Sequence, residues 1–162
     1  MNASAALLPQ GKRSRPAAAI LCAGLVSGSL DITAALVVYG LFGLRPILLL
    51  QGIAAGLLGP QRALAGGLPT AALGLACQYF IAFSASAVYV AASDVIGFLL
   101  KHAVISGVLY GIAVYFFMNR IVVPLSAARK YPFSWEMMLV GVTIHIFCVG
   151  LPIALLACKF SA

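Results

Sequence analysis

AAAILCAGLVSGSLDITAALVVYGLF, from Ala17 to Phe42, is apolar or small throughout apart from Ser27, Ser29, Asp31 and Thr33. A stretch of roughly 20 such residues is what an α-helix needs to cross a hydrocarbon layer about 30 Å thick, and this run is longer. A lone strand in lipid would leave its backbone N–H and C=O groups unpaired, and the run lacks the alternation of a barrel strand. The stretch therefore reads as a membrane-crossing helix. Its single charged residue, Asp31, needs an explanation.

The rest of the chain repeats the pattern. Apolar runs over residues 64–91, 103–123 and 137–158 each exceed about 18 residues and are bounded by charge, proline or glycine. Of 162 residues, 64% are hydrophobic and 8% charged, with a mean hydropathy of +1.12. Soluble domains carry roughly 45–50% apolar and about 25% charged residues. The expected fold is all-α: a polytopic membrane protein with one domain of four transmembrane helices over residues 17–158.

Pro46 to Gly59 forms a fifth apolar stretch, too short to span, which is expected to be a re-entrant or capping helix. Apart from Gln51 it has no polar side, unlike a helix lying among headgroups. The first 16 residues are small, polar and basic, with Lys12, Arg13 and Arg15 next to the first span, and residues 159–162 form a short tail. The run to Phe42 is too long for a signal-peptide core, so the first helix reads as an uncleaved anchor.

Orientation is left open by the basic residues themselves. Lys12, Arg13, Arg15, Lys101 and Lys159 fall on one side, and Arg45, Arg62, Arg120, Arg129 and Lys130 on the other. The first span usually dominates, which places both termini in the cytoplasm. Tyr39, Phe42, Tyr89, Tyr131, Phe133 and Trp135 fall near span ends, where aromatic belts form. The net charge of +7 is spread beside spans rather than gathered on one face, which suits an anionic bilayer surface and not nucleic acid.

Membrane helices associate through small residues that let backbones approach. Gly24 and Gly28 make such a pair on the first helix, Gly107 and Gly111 on the third, and Gly52 and Gly56 on the short one. At about 100° per residue, Asp31 lies about 40° from the Gly24/Gly28 stripe and points inward if the stripe does. His145 follows Gly141 by one turn and precedes Cys148 by another; Gln78 follows Thr70 and Gly74 in the same way. At about 1.5 Å per residue, Asp31 is roughly 16 Å from Phe42 and His145 roughly 15 Å from Trp135, with Gln78 near the same level. Asp31, Gln78 and His145 are thus expected to face one another near the bilayer midplane, with Asn119 as a further inward candidate. Arg120 lies about 200° round from the Gly107/Gly111 stripe, close enough to a span end to snorkel; it is the alternative counter-ion for Asp31.

Two functions follow from that cluster. Asp31 and His145 can simply hydrogen-bond and set helix register, or they can share a proton in a relay or a small transporter. Enzymatic chemistry has little to work with: the chain has no H-E-x-x-H, no G-x-S-x-G and no P-loop, and only three acids and two histidines. Cys22, Cys77, Cys148 and Cys158 are isolated in apolar runs, so neither a metal site nor a disulfide framework is expected, and no cofactor is called for.

The segments SGSLDI (27–32), LRPILLLQGIAAGLLG (44–59), GGLPTAALGLACQYFIAF (66–83) and LYGIAVYFFMNRIVVPLS (109–126) together resemble a group of small bacterial inner-membrane proteins with four spans and no assigned activity. The resemblance runs from about Ala17 to Cys158 and implies a bacterial cytoplasmic membrane, with no catalytic residue to carry over. The expected role is structural or accessory, by helix packing within the chain, with a membrane-protein partner or in a homo-oligomer. The alternative is a small transporter or proton conductor built on Asp31 and His145.

Overall fold

A computed structural model describes residues 15–130 and 132–161, and among these there is helix and no strand. The helices are α1 (Pro16–Leu41), α2 (Pro46–Leu58), α3 (Pro60–Ala65), α4 (Gly67–Val95), the single turn α5 (Phe98–Lys101), α6 (Ala103–Leu125) and α7 (Trp135–Ser161). Four of them, α1, α4, α6 and α7, are long and apolar enough to cross a membrane, and the chain is a multi-pass membrane protein. Large apolar side chains such as Leu21, Leu25, Phe80, Leu109, Leu139 and Phe147 cover the outside, where lipid replaces water. The basic segment expected over residues 1–16 lies outside the described residues up to position 14.

Local chemistry sets the helix ends. Pro16, Pro46 and Pro60 open α1, α2 and α3, where a missing N–H costs nothing and the fixed φ suits a first turn. Ser134 caps α7 by accepting the Met137 N–H at 3.4 Å. Gly59 separates α2 from α3 at φ +78°, a conformation that residues with a Cβ rarely adopt. That break, with the further interruption at Gly66, starts the second span at Gly67 rather than Leu64.

α1 runs antiparallel to both α4 and α7. Gly24 lies against Phe83 and Gly28 against Tyr79 and Ala82, while the Arg15 N–H donates to the Phe160 carbonyl at 3.3 Å. α6 is antiparallel to α7 and joins it through glycine: Gly107 lies against Gly150 and Leu151, and Gly111 against the backbone of His145 and Ile146. Contact this close is possible only without side chains, and it is how lipid-embedded helices gain dispersion energy. Gly52 departs from the expectation, since nothing lies within 4 Å of where its Cβ would be.

α2 lies on the first turns of α4 because Gly74 admits the Leu50 carbonyl, and its Gly56 carbonyl accepts the Ala127 N–H at 3.0 Å just beyond α6. The short helix therefore bridges α4 and α6 at the end of the bundle where α1 reaches Leu41.

Packing is uneven along the bundle. One core cluster joins Ala19 and Ala23 of α1, Tyr89 and Val90 of α4, and Val149, Ile153, Ala154 and Ala157 of α7. All of it lies toward the Pro16 end of α1. Beyond Ile32 on α1, beyond Gly111 on α6 and before Val149 on α7, no described residue is buried. Toward Leu41 the same helices are only half-buried against one another.

Two π-turns interrupt the spans, Met118–Val122 in α6 and His145–Gly150 in α7, each ending two residues before a proline, Pro124 and Pro152. Proline has no N–H for the carbonyl four residues back and its ring presses on that carbonyl. A wider turn re-pairs the backbone, which lipid requires: the Val123 N–H bonds the Met118 carbonyl and the Leu151 N–H the Ile146 carbonyl.

Candidate functional site

Because Gly28 has no side chain, α4 comes close enough to α1 for the residue beside Tyr79 to reach Asp31. Gln78 Nε2 donates to Asp31 Oδ2 at 2.7 Å. Next to this bond, the Ser29 and Tyr79 hydroxyls lie 2.8 Å apart, and Thr33 returns its hydroxyl to the Ser29 carbonyl at 2.7 Å. From α7, Cys148 is an electrostatic neighbour of Asp31. Asp31 and Gln78 are both half-buried, so α1, α4 and α7 converge on the carboxylate without sealing it.

The carboxylate is only half used. Among the described residues, Gln78 is the one hydrogen-bond partner of Asp31, and no fully buried side-chain oxygen or nitrogen lacks a partner. Asp31 Oδ1 is therefore accessible as well as unpartnered. By the same reasoning, so is the carbonyl oxygen of the Gln78 amide.

His145 is not part of this contact. Its Nδ1 lies 2.9 Å from the Gly141 carbonyl, which only accepts, so Nδ1 carries the hydrogen; the ring packs edge-on to Tyr115 at 5.4 Å between centroids. Gly141 also lies against Tyr115. Gly141 and His145 thus face α6, while Cys148 faces α1. A straight-helix stripe through all three fails because the π-turn begins at His145 and changes the rotation per residue.

Asn119 is a correction to the sequence expectation, whereas Arg120 takes its expected outward place at the span end and not the alternative one as counter-ion. Both are exposed; Asn119 Nδ2 donates back to the Tyr115 carbonyl at 2.9 Å in its own helix, and Arg120 makes no ion pair with Asp31. Both sit on the π-turn that precedes Pro124, near the end of the span, where side chains reach water.

Two further polar groups escaped the sequence reading. Tyr89, expected at an interface, is 1% exposed: its hydroxyl lies 2.9 Å from Ser106 Oγ and donates to the Leu99 carbonyl at 3.1 Å. Tyr110 stacks edge-on to it at 5.0 Å and donates to the Ala85 carbonyl at 2.6 Å, tying α6 to α4. Near the Leu41 end, buried Gln51 of α2 donates to the Gly67 carbonyl at 3.0 Å and to Thr70 Oγ1 at 3.2 Å. The available signal was a hydroxyl or amide inside an apolar run, since buried tyrosine needs a partner for its polar tip. Among the described residues, no group of three His, Cys, Asp or Glu side chains is placed to hold a metal ion. Compared with family models, curated proteins and solved structures, the chain matches none.

Proposed function

We propose that this multi-pass membrane protein is a structural or accessory component of a bacterial cytoplasmic membrane, acting by helix packing with a membrane-protein partner or with further copies of itself. Both termini are assigned to the cytoplasm on the dominance of the first span. The observation that carries the reading is what the intramembrane polar side chains do. Asp31–Gln78 and Ser29–Tyr79 tie α1 to α4, Tyr89–Ser106 and Tyr110–Ala85 tie α4 to α6, and Gln51–Thr70 ties α2 to α4. Such bonds average about 0.6 kcal/mol in membranes, with about 1.7 at most, so they choose which faces meet more than they drive association.

A transporter or proton conductor built on Asp31 and His145 draws less support, because His145 bonds Gly141 and packs on Tyr115 rather than meeting the carboxylate. Isolation from native membranes in a mild detergent tests the accessory reading, which expects a stoichiometric partner or a defined oligomer. A monomer that alone conducts protons or a solute across liposomes would refute it. Reporter fusions at either terminus check the orientation.

A further inference from the structure

We propose that Asp31 and Gln78 hold one small monovalent cation. Asp31 is ten residues from Leu41 in a continuous helix, about 15 Å deep at 1.5 Å per residue. A carboxylate at that depth is expensive unless it is partnered. One oxygen accepts from Gln78, which adds no charge, and among the described residues no cationic side chain pairs with the acid. The other two acids, Asp94 and Glu136, lie near helix ends on α4 and α7, so Asp31 is the one acid at this level, and a bound cation would let it stay ionised there.

The donors are hard oxygens. Asp31 Oδ1 and the Gln78 carbonyl oxygen have no protein partner among the described residues and are not sealed off. Carboxylate and carbonyl ligands suit hard cations, and one carboxylate neutralises one positive charge. Both ends of the bundle are packed: the small-residue core from Ala19 to Ala157 lies toward Pro16, and Ala54, Ala55 and Ala63 form a second buried cluster at the Leu41 end. Water would complete the coordination shell at the accessible Asp31 Oδ1. The site differs from the Asp31–His145 proton pair, since His145 takes no part in it.

The test is thermal unfolding of the purified full chain in detergent, with sodium or potassium chloride exchanged for choline chloride at constant ionic strength. Binding predicts a saturable rise in Tm with one of the alkali cations, at least about 5 °C once the cation is about 100-fold above its apparent Kd. Asp31→Asn keeps an acceptor for Gln78 but removes the charge, and is expected to unfold at a temperature independent of the cation. A flat wild-type response, or an unchanged response in Asp31→Asn, would overturn the site. If Asp31→Asn does not fold, infrared spectroscopy of the wild type decides: replacing choline by the alkali cation must shift a carboxylate stretching band, and no shift overturns the site.

Discussion

Replacing Gly111 with alanine adds one methyl group where α6 crosses α7. The new Cβ would sit 2.6 Å from the His145 carbonyl oxygen and 2.7 Å from the Ile146 Cα. Comfortable carbon contacts begin near 3.5 Å, so the methyl is about 1 Å too close. Both neighbours are backbone atoms, and neither can swing away as a long side chain would. The two helices must part, and the adjoining contacts of Gly107 and Gly150 loosen with them. Overpacking of this kind costs about 1–3 kcal/mol, more than loss of a single interhelical hydrogen bond in a membrane. Gly52→Ala is the matched control: nothing lies within 4 Å of its Cβ position, and alanine gains roughly 0.8–1.0 kcal/mol of helix propensity. Unfolding of both variants in mixed micelles, followed by circular dichroism, gives the comparison. Gly111→Ala should be destabilised and Gly52→Ala unchanged or slightly stabilised. Equal stability of Gly111→Ala and wild type would refute the close crossing of α6 and α7.

Tyr110→Phe removes the bond to the Ala85 carbonyl while keeping the ring on Tyr89, and the same assay should show a loss of about 0.6 kcal/mol, no more than about 1.7. Gln78→Leu strips Asp31 of its hydrogen bond and should destabilise more than Asp31→Asn, which retains an acceptor; a double-mutant cycle reads the coupling between them. Pro152→Ala restores an N–H to the Cys148 carbonyl, so the π-turn over His145–Gly150 should tighten toward α-helix and Cys148 should turn relative to Asp31; the rate of thiol labelling at Cys148 reports it, and an unchanged rate would contradict proline as the cause.

Membrane class, helical fold and the number of spans were legible from Ala17–Phe42 and its three counterparts, because length and hydropathy are properties of a segment by itself. The level of Asp31 with Gln78 was legible too, since rise per residue is fixed once a helix is assumed, and the Gly24/Gly28 stripe supplied its direction. The direction of His145, the burial of Tyr89 and the exposure of Asn119 were decided only by the assembled bundle. In water, an apolar stripe tells a helix which face turns inward; these spans are apolar all round, so that signal is missing. Backbone contact at Gly107, Gly111 and Gly150, and the wider turns before Pro124 and Pro152, set the rotation instead. Both depend on a neighbouring helix or on a change of helical pitch, and neither is visible in the hydropathy of a single run.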